Sequence, residues 1–153
     1  MDLAAGKEGR IVKPTVQRVY QQMLQQGDGS FKLMTIVQFS LDGSGPLYLW
    51  LDPATATSQA VTALMNAAAQ NYGSVIALAQ PSDPQGLNVH DIVISQVPAY
   101  TAAGAQILNT QVKFSVGTHG PFTLTFPAGS DTAAAISASI QNQQGQLRNL
   151  LFT

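Results

Sequence analysis

The sequence contains no cysteine, so neither disulfides nor thiolate chemistry is possible. It has no apolar run approaching the roughly 18 residues that a membrane-spanning helix requires. Its first residues, MDLAAGKEGR, lack the basic and then apolar pattern of a secretory signal. We therefore expect a protein that is made in the cytoplasm and does not enter a membrane, whether it stays there or joins a particle such as a virion.

Charge is scarce as well. Only 10% of the residues are charged, and a single glutamate stands against seventeen glutamines. About 25% is usual for a globular domain, so the polar surface here is built mainly from amides and hydroxyls. With a net charge of −1, such a surface resists association poorly. This composition favours a protein that lives in an assembly.

The few charges are unevenly placed. Residues 1–32 carry five cations and three acids, whereas residues 33–112 carry four aspartates and no lysine or arginine. We predict an N-terminal arm over residues 1–13, with Lys7, Arg10 and Lys13 as its basic contacts. The arm could meet the acidic body within one molecule or between neighbours. Because the arm has no hydrophobic period of its own, we expect it to lie on another chain.

The clearest positive signal is an internal repeat. Residues 29–76 align without a gap to residues 104–151, and twelve of the 48 positions are identical. Average composition would give roughly three or four identities. The repeat predicts a duplicated structural unit.

Each copy is typical of a strand, a turn, a second strand and a helix. In the first copy, apolar and polar residues alternate over 33–41 and again over 47–51, and DGSGP supplies the turn between them. A helical pattern follows, with Thr55 as its expected N-cap and Gly73 as its expected end. The second copy repeats this order, with Ser130 in the capping position.

Three further segments complete the expected fold. Residues 15–26 place apolar side chains at helical spacing, although their glutamines leave a strand open as an alternative. Residues 79–90 form a connection that contains proline and glycine, and residues 91–97 are expected to form a strand that ends at Pro98. We predict one α+β domain over residues 14–153, with a mainly antiparallel sheet built from duplicated hairpin–helix units related by a pseudo-two-fold axis. Its helices should cover the sheet face that holds Phe39, Leu49, Phe114 and Leu124.

The two copies differ on the opposite face of the sheet. The second copy has polar residues there, among them Thr123 and Thr125. The matching face of the first copy is large and apolar, and consists of Met34, Ile36, Tyr48 and Trp50. Side chains of this size are stabilised by about 1.5–3 kcal/mol each when they are buried, so this face should be covered. Either the predicted N-terminal helix covers it, or it forms an interface anchored by Trp50.

The sequence shows little that points to catalysis. His90, Asp91 and Asp83 are the only grouping suggestive of a metal site, but adjacent strand residues point to opposite faces. His119 lies in the second turn, where we expect it to be solvated. There is no nucleophile motif, and the glycine-rich turns lack the lysine of a phosphate loop. We therefore expect a protein that is not an enzyme and needs no cofactor. The domain is not basic overall, so we do not expect nucleic acid to be a partner.

Small cysteine-free domains rich in glutamine, alanine and threonine, with a duplicated hairpin and an arm, resemble phage head or tail components in general style. No specific motif carries this resemblance. It implies a structural subunit of a virion or similar assembly, with copies of itself or other virion proteins as partners. The alternative is a small binding module that uses the Met34, Ile36, Tyr48 and Trp50 face for a peptide or small ligand.

Overall fold

The structure, a computed structural model, describes residues 12–152, which form six strands and two long helices. In chain order these are β1 (Pro14–Gln25), β2 (Phe31–Leu41), β3 (Ser44–Leu51), α1 (Ser58–Ile76), β4 (Val89–Tyr100), β5 (Gln106–Val116), β6 (His119–Phe126) and α2 (Ala133–Phe152). A short 3-10 turn, Pro53–Thr55, precedes α1. No helix among these residues has the length and hydropathy that crossing a membrane requires.

The strands form two separate three-stranded sheets. The first sheet has the order β1-β2-β3 and the second has the order β4-β5-β6, and every pairing is antiparallel. The predicted α+β class is therefore confirmed, but one continuous sheet was expected and two are found. The strand predicted over residues 91–97 is also confirmed, and it extends in both directions, running through Pro98. As β4 lies at the edge of its sheet, proline can be tolerated there.

Residues 15–26 were predicted to form a helix because of their apolar spacing. Strand β1 occupies this segment instead, so the helix prediction is wrong. The segment pairs with β2 from Pro14 to Gln25, with a register shift between Val16 and Arg18. Its β-branched and aromatic residues suit a strand, and the hydrogen bonds to β2 outweigh a local pattern that is compatible with either state.

The two halves of the chain have the same order of elements. Each strand of the second sheet begins and ends 75 residues after its counterpart, as Val89 follows Pro14 and Phe126 follows Leu51. A register shift between Phe39 and Leu41 in the first sheet has its counterpart between Phe114 and Val116 in the second.

The turns and caps differ in detail from expectation. Asp42 and Gly43, with φ of +45° and +89°, make the first hairpin turn, so Gly45 and Pro46 already belong to β3. Thr57, rather than Thr55, caps α1 by accepting a hydrogen bond from the Ala60 N–H. Thr132, rather than Ser130, makes the matching bond to the Ala135 N–H in the second half.

One hydrophobic core contains residues from both sheets and both helices. Phe39 and Phe114 are 1% exposed, and Val75, Ile136 and Ile140 are fully buried in the same cluster. Val12, predicted as part of the arm, is also buried in this core, 3.4 Å from where a Cβ on Gly73 would lie. The chain has therefore joined its own body by residue 12.

The connection between the halves is held against α2. Arg148 donates two hydrogen bonds to the Asp83 carboxylate, at 3.0 and 3.1 Å, and these hold the pKa of Asp83 down at about 2. Asp83 also accepts from the N–H groups of Gln85 and Leu87. These contacts order a segment whose prolines and glycine would otherwise favour a loose linker.

Gly117, at the second hairpin turn, lies closest to this connection. Its φ is +61°, and its N–H donates to the carbonyl oxygen of Asn88 at 2.8 Å. A Cβ on Gly117 would lie 2.1 Å from the carbonyl oxygen of Gly86. Only glycine lets the turn and the connection approach this closely.

We predict that Gly117→Ala lowers the free energy of unfolding by about 1–3 kcal/mol, because the change adds both backbone strain and a clash. Gly145→Ala is the control, since a Cβ at that helical position meets no atom within 4 Å. The control should leave stability unchanged or raise it by about 0.5–1 kcal/mol. Urea unfolding measures both, and equal stabilities of the Gly117→Ala variant and the wild type would contradict the packing described here.

Candidate functional site

The four apolar residues predicted as a binding face lie together on the first sheet. Ile36 and Trp50 are directly opposite each other on β2 and β3, and Tyr48 lies opposite Gln38. Met34 lies opposite Gln22 of β1. Ile36 is 1% exposed, and the other three side chains are half-buried.

The cover over this face comes from the second sheet. Because residues 15–26 form a strand, β1 contributes Tyr20 and Leu24 to the side of the face instead of laying a helix over it. Pro98, Gln106 and Leu108 line a small cavity together with Tyr48 and Trp50. The second sheet therefore lies over this face, where we had expected an N-terminal helix or a partner.

Two hydrogen bonds between β3 and β4 fix this arrangement. The Ile94 N–H donates to Ser44 Oγ at 3.1 Å, and the Tyr48 N–H donates to Gln96 Oε1 at 2.7 Å. Both acceptors are side chains, so the two strands lie beside each other without belonging to one sheet. Ile94 is fully buried and Ser44 is 2% exposed, which shows that the contact excludes solvent.

A larger groove opens beside Trp50. Its volume is about 430 Å³. It is lined by Trp50, Gln96, Gln106, Ile107, Leu108, Ala128, Gly129 and Asp131. An indole, aliphatic side chains, two amides and one carboxylate offer an apolar surface with a few polar groups, as small-ligand sites commonly do.

Asp131 joins the groove to a buried polar cluster. Its carboxylate accepts hydrogen bonds from the Tyr72 hydroxyl and from Thr110 Oγ1, the latter at 2.7 Å. Asn71 Nδ2 donates to the Asp131 carbonyl oxygen at 3.0 Å. Burial, together with the hydrogen bond to Asp131, raises the pKa of Tyr72 well above its usual range. The cluster ties α1 and β5 to the segment before α2, and each hydroxyl has a partner, so its role is structural.

The histidines show no arrangement of metal ligands. Both ring nitrogens of His90 are engaged, one with the Asp91 carboxylate at 2.9 Å and the other with the Gly117 carbonyl oxygen at 2.7 Å. These contacts raise the pKa of His90, with the bond to Gly117 as the larger cause. Asp91 reaches its neighbour because its φ is +56°, which departs from the alternation of a regular strand. Within residues 12–152 no three such side chains are grouped as metal ligands would be.

Of the predicted basic contacts, Lys7 and Arg10 lie outside the described residues. Lys13 is exposed, and its backbone N–H lies 3.4 Å from the Asp42 carboxylate. Lys32 pairs with Asp52 at 3.4 Å on the surface. Lys32 therefore meets the acidic body within one molecule through its charge and Lys13 does so through its backbone, although an exposed ion pair contributes only about 0–1 kcal/mol.

The most exposed apolar patch on the sheets was not foreseen. Val19 and Met23 of β1, with Phe31 and Leu33 of β2, are between 43% and 62% exposed. Met23 and Leu33 are cross-strand partners, and the strand alternation places all four on one face. The patch was missed because residues 15–26 were predicted to form a helix, which would have buried Val19 and Met23.

No protein family, curated protein or solved structure matches this chain.

We predict that Asp131→Ala destabilises the fold by about 1–3 kcal/mol, because it leaves the Tyr72 and Thr110 hydroxyls buried without their acceptor. Combining it with Tyr72→Phe removes one orphaned hydroxyl, so the double variant should lose less than the sum of the two single losses. Urea unfolding of the wild type, the two single variants and the double variant measures these losses of stability. Strictly additive losses would show that the cluster does not act as a unit.

Proposed function

We propose that this protein is a non-enzymatic structural subunit that self-associates or docks on neighbouring subunits of a larger assembly, such as a phage head or tail. The observation that carries the proposal is the patch formed by Val19, Met23, Phe31 and Leu33. Large exposed apolar patches are uncommon on monomers and mark sites of interaction with other proteins.

The position of the patch adds to this argument. It lies on β1 and β2, and β1 is one of the two edge strands of the first sheet. Natural proteins commonly protect an exposed edge with charged side chains, most often lysine. Between Pro14 and Gln25, Arg18 is the only charged residue. The strand therefore carries little that would oppose pairing with another subunit.

The proposal includes an internal duplication of one β–β–β–α unit, with the helices on the core face of the sheets. It is supported by the twelve identities in the ungapped alignment of residues 29–76 with residues 104–151. The spacing of 75 residues between corresponding strand bounds extends the correspondence upstream to residue 14. Superposition of the two halves in an experimental structure tests it.

The assembly proposal predicts a multimer by light scattering at micromolar concentration. Val19→Lys should shift the mass towards the monomer, because it places a charge at one end of the patch, at a position that is already 62% exposed. Leu64→Lys is the control, since Leu64 is 44% exposed and belongs to α1 and not to either strand of the patch. A wild-type protein that stays monomeric across the concentration range would refute the proposal.

The groove beside Trp50 supports a second candidate function, a binding module for a peptide or small ligand. Trp50 is the only tryptophan in the chain, so tryptophan fluorescence reports on this groove and the small cavity next to it. A library of small ligands and short peptides is the probe. If the module binds one of them, the emission should shift with saturation and the shift should be lost in Leu108→Asp. Unchanged emission across the library would count against the module.

A further inference from the structure

We propose that copies of this chain associate head to tail, by repeating between chains the contact that joins the two halves within one chain. In this arrangement β6 of one copy lies against β1 and β2 of the next. The inference rests on the proposed structural role and goes beyond it by specifying both surfaces and the partner, a second copy of the same chain.

Within one chain, β3 of the first sheet packs against the second sheet, on the face that also carries the core residues Val112 and Phe114. The Ile94 N–H donates to Ser44 Oγ, and the Tyr48 N–H donates to Gln96 Oε1. Trp50 and Leu108 line the same small cavity. The Gln25 N–H also donates to Gln106 Oε1 at 2.8 Å, which extends the contact to the start of β5.

The counterparts of these two surfaces, on β1 and β2 and on β6, are exposed. Adding 75 to a first-half position gives its second-half counterpart. The counterpart of Ile94, which is fully buried, is Val19, which is 62% exposed. Gln96 corresponds to an identical residue, Gln21, which is exposed. On the other surface, Thr123 occupies the position of Tyr48 and is exposed.

A further contact within the chain, from Gln25 to Gln106, also has an exposed counterpart between copies. Tyr100 is the counterpart of Gln25, and Phe31 is the counterpart of Gln106. Between copies, the contact of Gln25 with Gln106 therefore becomes a contact of Tyr100 with Phe31. These two side chains are 63% and 59% exposed, among the most exposed large apolar residues on the strands. Their pairing would bury both rings at once, and aromatic pairs are favourable beyond the area they bury.

The contact is expected to be weaker between copies than within one chain. Trp50 and Tyr48 fill it within the chain, whereas Thr125 and Thr123 take their places between copies. The apolar contribution must therefore come mainly from Val19, Met23, Phe31 and Leu33. A heterologous contact of this kind gives a ring if its rotation closes and a filament if it does not.

The test uses cross-linking between two single-cysteine variants of a chain that has no cysteine of its own. One carries Gln21→Cys and the other Thr123→Cys, both at exposed strand positions. A short bis-maleimide should give a cross-linked dimer in the mixture and none in either variant alone. Gln22→Cys replaces Gln21→Cys as the matched control, because its side chain points to the opposite face of β1, and it should give no product with Thr123→Cys.

A second pair, Phe31→Cys with Tyr100→Cys, tests the same geometry through different residues and should also cross-link only when mixed. Light scattering on each variant separates the possible failures. A multimer in which neither mixed pair cross-links would overturn the head-to-tail arrangement and leave the structural role standing. Cross-linking of Gln21→Cys with itself would replace it by a symmetric face-to-face contact. A wild-type protein that is monomeric at every concentration would remove both proposals.

Discussion

The packing of β3 against the second sheet is the contact on which the rest of the structure depends. Both sheets and both helices contribute to one hydrophobic core, and this contact sets how the two sheets lie against each other. The contact uses side chains as hydrogen-bond acceptors, Ser44 Oγ for Ile94 and Gln96 Oε1 for Tyr48. Strands that do not share a ladder are held at a fixed register by these two bonds, and Trp50 closes the space beside them.

The difference between the two halves follows from this contact. Tyr48 and Trp50 lie where the first half meets the second, so they are large and half-buried. Thr123 and Thr125 occupy the corresponding places on β6, which has no such neighbour within the described residues, and both are exposed. The two strands β3 and β6, which occupy corresponding places in the two sheets, therefore differ in the side chains they direct away from the core. The apolar patch around Val19 remains as the surface that the contact within the chain leaves open.

Part of this architecture could be predicted from the sequence. The hairpins and helices of both halves follow from strand alternation and helical spacing, because these patterns are local. Residues 15–26 were predicted wrongly because their spacing suits a helix, whereas pairing with β2 decides the structure. Comparing the two halves would have corrected the helix prediction, because residues 89–100 correspond to residues 14–25 and have a clearer strand pattern.

Only part of the candidate site could be predicted from the sequence. Met34, Ile36, Tyr48 and Trp50 do lie on one face, because alternation along two neighbouring strands places them there. Their cover by Pro98, Gln106 and Leu108 depends on how two sheets pack, and no local pattern specifies that. The cluster of Tyr72, Thr110 and Asp131 was missed for the same reason, since it joins residues far apart in the chain.

An experimental density map of the assembled protein tests the central claim most directly, since it shows which surfaces meet. The account predicts β6 of each copy beside β1 of the next, with Thr123 near Gln21 and Tyr100 near Phe31. Each ring or filament should then contain twice as many structural units as chains, in a near-regular repeat. A map in which the Val19 patch meets the same patch of another copy, or faces solvent, would contradict the account.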